Sequence, residues 1–456
     1  MRTTVRNRFI LLLASMIGMT MLASEASALP LFARQTGMEC AACHFQHFPM
    51  LTAFGRAFKA GAYTMMGTQG KVEGDNLSIP NTLNMAILTT AGYSKNNSDS
   101  AATVDPVANS NGARTTGDGT FYVPGTNGEF SLFVGGRTSE NSGALAELGM
   151  VQDAGTGAGL SSAKIPMLWE VASGTRAGLV PYTTDGQGAS YGFEELNTGA
   201  NAVHTMLFIG GDFNGSVAPI LSAQQYIGTG SAATGFAFVV NNPNYFVNLT
   251  KFNQVGPADL GGASAALTST YLRAAAIFDL GGWDTAVGAQ SWSGSSSAVT
   301  FTDVVNGSVA EITPSFTQME TKAWAIDGQM QNTLGNGMPL GIYVTYASAA
   351  ASDALTTNAY NGGADTRSSF NIAAELGVIP EKATLGFGIR RGKSGDTSIT
   401  GSNASDNAYL LEGSYKIAQN MLLNLIYTSQ SGDYWDSANT SAIGSKQTLI
   451  NLATIF

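Results

Sequence analysis

The chain has 456 residues, of which 12% are charged and 44% hydrophobic, with 55 glycines and a formal net charge of −10. An acidic chain without basic patches is not expected to bind nucleic acid. A soluble protein would carry about 25% charged residues, and beyond the amino-terminal segment no apolar stretch approaches the roughly 18 residues that span a membrane as a helix.

Residues 1–28 have the pattern of a secretory signal peptide. Arg2, Arg6 and Arg8 form a basic start, an apolar stretch runs to Ala23, and small residues end the segment at Ala28. This order of a basic, an apolar and a small-residue region predicts export and cleavage before Leu29.

The only two cysteines lie in a C-x-x-C-H pattern. Cys40 and Cys43 are followed directly by His44, one of three histidines in the chain. This is the attachment pattern of c-type haem, in which two thiols form thioethers to the porphyrin and the histidine is an axial ligand of the iron. It predicts one covalent haem c, in agreement with export. A disulfide or an oxidoreductase C-x-x-C is the alternative, although no βαβ pattern surrounds the motif.

Residues 29–75 form the haem segment that the sequence predicts. Pro49 suits the first turn of a helix, and Leu51, Phe54 and Phe58 then recur on one helical face. The predicted haem surroundings are Phe54 and Phe58 against the porphyrin, with Arg56 or Lys59 near a propionate. Alternatively, these aromatic residues pack only against a barrel wall. A segment this short can hardly build its own core, so we expect it to depend on the haem and on the rest of the chain.

The sixth iron ligand stays open at this stage. Met65 and Met66 follow the helix, where the chain could fold back over the far face of the haem, and a His/Met pair raises the reduction potential. His47 is the alternative, but a continuing helix would put it on the same side as His44. His204 is expected to be an ordinary polar residue beside an apolar strand.

Residues 76–456 show the alternation of a transmembrane β-barrel. In the stretch 370–378, Phe370 and Ile372 share one face, and Asn371 and Glu375 share the other. This period of two predicts strands with one face toward lipid and one toward a polar lumen. The strand from Met421 to Tyr427 is less regular, because apolar residues occur on both faces. A soluble β-sandwich is the alternative.

Loop lengths support the same fold class, an all-β transmembrane barrel of about 16 antiparallel strands with a small α-helical haem segment at its amino-terminal side. Short turns near residues 241–244, 280–283, 333–338, 377–383 and 415–420 alternate with longer polar loops, as in barrels with periplasmic turns and extracellular loops. We expect eleven strands after Gly235 and five before it, with eighteen in all if residues 174–202 hold another pair. The five strands before Gly235 are expected near residues 81–92, 129–136, 144–151, 164–172 and 203–210.

One stretch resembles a known family. Residues 29–38, the C-x-x-C-H motif, and the short groups 49–51, 54–56, 58–59 and 61–64 are similar to the fused monohaem cytochrome c–porin proteins of the outer membrane, known from iron-oxidising bacteria. The similarity covers about forty residues; beyond them the resemblance is in barrel architecture and in an aromatic final residue. It implies that the haem accepts electrons from extracellular Fe(II) and passes them to a periplasmic cytochrome or other carrier.

The predicted function is therefore electron transfer at the bacterial outer membrane, with the haem segment on the periplasmic side or inside the barrel. The alternatives are outward electron transfer to external acceptors, or a solute-conducting porin with a haem-bearing plug. A net-acidic lumen would concentrate cations, although any polar lumen collects carboxylates. The expected inward charges are Glu147, Glu170, Asp279, Asp327, Glu375 and Glu412, with Arg273 and Arg390.

Overall fold

The computed structural model describes residues 30–75, 77–97, 119–150, 159–198, 222–257, 266–306, 309–353, 355–398, 401–436 and 445–456. The signal peptide, His204 and the strand expected near 203–210 lie outside these ranges. The helices are α1 (Pro30–Thr36), α2 (Cys40–Cys43), α3 (Ala53–Ala60), α4 (Ala223–Tyr226) and α5 (Asp433–Asp436), with a 3-10 turn at Ala189–Gly192.

The strands are β1 (Lys71–Gly74), β2 (Leu77–Pro80), β3 (Asn84–Asn96), β4 (Thr120–Pro124), β5 (Asn127–Gly128), β6 (Phe130–Arg137), β7 (Gly143–Gly149), β8 (Gly159–Lys164), β9 (Met167–Ala172), β10 (Thr175–Thr184), β11 (Ala233–Asn242), β12 (Tyr245–Asn253), β13 (Ser269–Leu280), β14 (Trp283–Ser293), β15 (Ser295–Asn306), β16 (Val309–Glu320), β17 (Ala323–Thr333), β18 (Pro339–Ala349), β19 (Arg367–Ile379), β20 (Ala383–Ser394), β21 (Ser405–Ala418), β22 (Met421–Ser431) and β23 (Lys446–Ile455).

All of these strands except β1, β2, β15 and β16 close into one barrel of sixteen antiparallel positions. The segments β4 to β6 share one position beside β3, and β8 and β9 share another beside β10. The closing pair is β23 with β3, where Ile455 lies opposite Leu88. The predicted strand number is thus confirmed. Two hairpins, β1–β2 and β15–β16, stand outside the closed sheet.

The alternating pattern predicted for the strands is confirmed in β19. Phe370 and Ile372 are about 40% and 38% exposed on the outside, whereas Asn371 and Glu375 are buried on the inside. The predicted short turns are also present; the turn between β13 and β14 has Gly281 and Gly282 at φ 61° and 86°, a left-handed pair that suits a two-residue hairpin.

One strand expectation needs correction. The fifth strand before Gly235 was expected near residues 203–210, but the structure has β10 (Thr175–Thr184) as the fifth strand position. This strand falls within residues 174–202, where the sequence allowed an additional pair. Its residues interrupt the apolar alternation with Gly178 and Pro181, so the stretch looks like a loop from sequence alone.

A closed barrel with an apolar outer face is the architecture by which proteins cross the bacterial outer membrane. The chain is therefore an outer-membrane protein, as predicted. Among the described residues, no helix is both long enough and apolar enough to cross a membrane.

Residues 30–75, which we call the helical segment, occupy the short-turn end of the lumen. Cys40 Sγ lies 3.2 Å from the carbonyl oxygen of Gln419, at the turn between β21 and β22. The Gln46 side chain donates to the carbonyl of Glu375, near the end of β19, and Arg56 binds Asp284 at the start of β14. Contacts to strands on several sides thus fix the segment across the barrel mouth.

Helix α3 begins later than the sequence predicts. Its cap is Thr52, whose hydroxyl accepts a hydrogen bond from the Gly55 amide at 3.1 Å, which is the ordinary role of threonine at a helix start. The prediction that Pro49 lies in the first turn is wrong, because residues 44–51 form a tight loop in which His44 and Leu51 pair as a β-bridge.

Candidate haem site

The C-x-x-C-H motif forms one short helical turn followed by an extended histidine. The His44 amide donates to the Cys40 carbonyl at 2.8 Å and thereby ends α2. No disulfide joins Cys40 and Cys43, and burial raises the pKa of the Cys43 thiol, with a smaller effect from Cys40. Both sulfur atoms therefore lie in one turn with the histidine, as the haem attachment pattern requires.

The ring of His44 presents one nitrogen for ligation. Its Nδ1 lies 3.1 Å from the carbonyl oxygen of Met50; because a carbonyl only accepts, Nδ1 carries the proton and Nε2 carries the lone pair. Burial lowers the pKa of His44 to about 4, so the ring is neutral at pH 7. A backbone carbonyl that fixes the tautomer in this way is the usual support of a metal-binding histidine.

The close contact between α2 and α3 requires glycine at position 55. A Cβ atom there would lie 2.1 Å from the Cys43 carbonyl oxygen. The Thr52 amide donates to that same carbonyl at 3.0 Å, and the Thr52 hydroxyl donates to Ala42. Gly55 and Thr52 therefore hold the two helices together and fix the direction of His44.

A large apolar cavity borders the motif. Its empty space, which includes the opening to solvent, is about 1190 Å³. Cys40, Cys43 and His44 all line it. The apolar lining comes from the helical segment and the barrel wall, namely Leu31, Phe32, Phe48, Leu51, Phe58, Phe133, Leu145 and Ile455.

Three aromatic rings form one side of this cavity. Phe32 stacks on Tyr63 with ring centroids 4.9 Å apart, and Phe58 lies 5.0 Å from Phe32 and 5.7 Å from Tyr63. The side is thus apolar and rigid, which suits a flat hydrophobic ligand. The residues present therefore fit a c-type haem: two thiols, one histidine nitrogen and an aromatic slot lie together.

The structure brings only part of the predicted surroundings to the cavity. Phe58 and Lys59 line it, whereas Phe54 and Arg56 are not among the lining residues. Arg56 instead binds both carboxylate oxygens of Asp284 at 2.7 Å. Arg56 thus fastens α3 to the barrel wall, a role that depends on a partner 228 residues away in sequence.

The candidates for the sixth ligand lie in different places. Met65 is exposed, and neither Met65 nor Met66 lines the cavity, whereas Met38 does. The Gln35 side chain holds their segment by donating to the carbonyls of Tyr63 and Met65. The assignment of Met65 or Met66 stays a prediction, and Met38 is a further methionine that sequence reasoning missed.

His47 has partners at both ring nitrogens. Nε2 lies 2.6 Å from Glu375 Oε1, and Nδ1 lies 2.7 Å from the Phe48 carbonyl. Burial alone would lower the pKa of His47, but the Glu375 carboxylate, assisted by Glu412, raises it to about 9. His47 is therefore a cation that anchors the loop to β19.

A second set of residues enters the lumen above the helical segment. Residues 189–198 are buried, and Glu194 binds the fully buried Arg273, which also binds Asp327. The Thr198 hydroxyl donates to Asp327 at 2.7 Å. We call residues 189–198 the inner segment.

The inner segment also touches the helical segment directly. The Leu51 amide donates to the Asn197 side chain at 2.8 Å, and the Asn197 amide donates to Gln329 of the barrel wall. Among the lumen carboxylates, Glu194 and Asp327 pair with Arg273, and Glu375 pairs with His47. Of the expected inward residues, Glu170 and Asp279 lie near strand ends beside short turns, where they are exposed. Among the described residues, no group of three or more His, Cys, Asp or Glu side chains is arranged to hold a metal ion.

Comparisons with known proteins give barrel neighbours alone. No family model and no curated protein matches the chain. Solved structures that are similar include OmpT of Vibrio cholerae (10% identity, 85% of this chain and 99% of that chain, TM-score 0.44), OprB of Pseudomonas putida (12%, 82% and 94%, 0.48) and OmpF of Salmonella typhi (11%, 85% and 100%, 0.48). None of these values identifies a function for this chain.

Proposed function

We propose that the chain is an outer-membrane electron-transfer protein that holds one covalent c-type haem in its lumen. It would carry electrons between an extracellular donor, Fe(II) by resemblance, and a periplasmic carrier. The observation that supports this most is the common border of Cys40, Cys43 and His44 on one apolar cavity inside a closed barrel. When bound, the haem supplies a one-electron couple.

The position of the motif supports a place for that couple near the short-turn end of the barrel. Cys40 and His44 border the large cavity and also a smaller one lined by Lys416, Gln419 and Met421 at the β21–β22 turn. The motif therefore lies between the lumen and the short-turn end, which faces the periplasm in outer-membrane barrels. A small carrier that docks at these turns would come close to the attachment turn.

The test is visible absorption of the detergent-purified mature protein, titrated with Fe(II) without oxygen. We expect a c-type spectrum that is reduced by Fe(II), and loss of covalent haem in the double variant Cys40→Ala/Cys43→Ala with the barrel still folded. Absence of covalent haem from the wild-type protein would refute the proposal. A haem reduced by dithionite but not by Fe(II) would favour another donor or the outward direction.

A solute-conducting porin with a haem-bearing plug is the second candidate. It is favoured by the sixteen-strand closed barrel, since barrels of 16–18 strands leave an aqueous channel. The helical segment and the inner segment both occupy that lumen, which argues for low conductance. Planar-bilayer recordings decide: steady conductance of the wild-type protein at the level of an open porin would replace the first proposal by the second.

A further inference from the structure

A buried lysine in the barrel wall lines the same cavity as the C-x-x-C-H motif. Lys164, at the end of β8, is 5% exposed, and it is one of two lysines among the described lining residues; the other is Lys59 of α3. Burying an ammonium group is costly unless an anion accompanies it. The cavity is otherwise mainly apolar, so this cation calls for an explanation.

The position of Lys164 is fixed by neutral groups. Its Nζ donates to the Tyr191 carbonyl at 2.9 Å and lies 4.2 Å from the centroid of the Tyr191 ring. No carboxylate of the described residues forms an ion pair with it. Glu39 and Glu147 also line the cavity, and Glu147 accepts a hydrogen bond from Ser162 on the neighbouring strand position.

Lys59 and Lys164 line the same cavity, and two ammonium groups that share one apolar space repel each other. The carboxylates of Glu194 and Glu195 stabilise the positive charge of Lys59 and so offset part of this repulsion. Two cations directed into one apolar cavity are stabilised together when an anionic ligand lies between them. The arrangement therefore fits a ligand with carboxylates at one edge.

The chemistry of a c-type haem supplies such a ligand in one orientation. The vinyl carbons that form thioethers and the two propionates lie toward opposite edges of the porphyrin. Cys40 contacts Gln419 at the β21–β22 turn, whereas Lys164 is on β8, which four strand positions of the closed sheet separate from β22. A haem attached at the cysteines would thus direct its propionates toward the lysines.

We infer that Lys164, together with Lys59, binds the haem propionates and orients the haem with its carboxylate edge toward the interior of the lumen. This inference rests on the proposed function and assigns a role to Lys164, which the sequence did not single out. Lys164 is a positioning residue that also sets the charge near the haem. Arg56, considered earlier for this role, is engaged by Asp284.

The test compares Lys164→Met, Lys164→Arg and Lys59→Met with Lys251→Met as the matched control. Lys251 hydrogen-bonds Thr270 and does not line the cavity. Loss of a cation beside the propionates favours the oxidised haem. We expect Lys164→Met to keep its covalent haem but to shift the one-electron reduction equilibrium at least tenfold, about 59 mV, toward the oxidised form. Lys164→Arg, which retains the positive charge, should keep a potential close to that of the wild type. Lys251→Met should leave the potential unchanged.

Resonance Raman spectra of the wild-type protein add a measurement that needs no variant. Propionate bending bands of hydrogen-bonded carboxylates are expected, and bands of freely solvated propionates would overturn the inference. A wild-type potential in Lys164→Met with full haem content would also overturn it. Absence of covalent haem from the wild-type protein is a different outcome, since it refutes the proposed function itself.

Discussion

The two histidines beside the cavity differ because their ring nitrogens have different partners. His44 donates from Nδ1 to a carbonyl and keeps Nε2 as a lone-pair donor, whereas His47 is held at both nitrogens by Phe48 and Glu375. The sequence separates these residues by only three positions. The C-x-x-C-H spacing identifies His44 as the predicted ligand, but only the fold shows that Met50 supplies the supporting carbonyl.

The methionines offer a test at the residue scale. Met38 lines the cavity, so Met38→Leu is expected to remove thioether ligation from the proposed haem. Met65→Leu and Met66→Leu serve as the comparison, since Gln35 holds their segment outside it. Absorption and magnetic circular dichroism identify the variant that loses thioether ligation; loss in Met65→Leu or Met66→Leu would instead confirm the sequence-based prediction.

Glu195 should make the stability of the protein depend on pH. Burial raises the pKa of Glu195 to about 8, an effect that Arg56 and Lys59 offset only in part. A carboxyl whose folded pKa is raised costs stability as pH rises from the unfolded value of about 4.3, and the cost is complete above about 8. Glu195→Gln should therefore match the wild-type unfolding temperature near pH 3.5 and exceed it at pH 9.

Thermal unfolding in detergent, followed by circular dichroism at several pH values, measures this difference. Glu381→Gln is the control, because Glu381 is exposed in the β19–β20 turn. An unfolding temperature of Glu195→Gln that differs from wild type by the same amount at every pH would contradict the assigned ionisation.

At the scale of elements, the irregular alternation of β22 has a physical explanation. Leu422 and Ile426 face inward, where Leu422 packs with Phe48 and Ile426 packs with Met50. Apolar residues on the inner face thus mark where the helical segment contacts the wall. Sequence reasoning found the strand, but it could not assign these residues, because their partners come from the other end of the chain.

The inner segment depends on a buried charge group. Arg273 binds Glu194 of that segment and Asp327 of β17, and removal of one member of a buried ion pair costs about 3–5 kcal/mol. Arg273→Met should lower the unfolding temperature and increase channel conductance, because the inner segment loses its main attachment. The exposed Arg391 provides the control variant Arg391→Met. Unchanged conductance in a destabilised Arg273→Met protein would show that other contacts retain the segment.

At the scale of the whole molecule, the outer face should tolerate charge according to depth. Leu249, in the middle of β12, and Leu280, beside a short turn, are both exposed. An arginine costs about 2–4 kcal/mol at the membrane midplane and about 0–1 kcal/mol near the interface. Leu249→Arg should therefore destabilise the barrel strongly and Leu280→Arg only slightly.

Equilibrium unfolding in lipid vesicles measures both variants under the same conditions. Equal losses of stability in the two would contradict the assigned depths.

The fold class and strand number follow from sequence because alternation and turn length are local signals. The place of β10 and the partners of Arg56 and Lys164 do not follow, because they depend on which distant segments fill the lumen.

The pairing of β23 with β3 has a consequence for the order of assembly. Residues near position 90 can form this strand pairing only with residues near position 450. Contacts between residues this distant in sequence form late in folding. The helical segment, which precedes β3, has to be in place when the sheet closes around it. Attachment of the proposed haem at Cys40 and Cys43 thus belongs to the open chain in the periplasm, before the barrel closes around the helical segment.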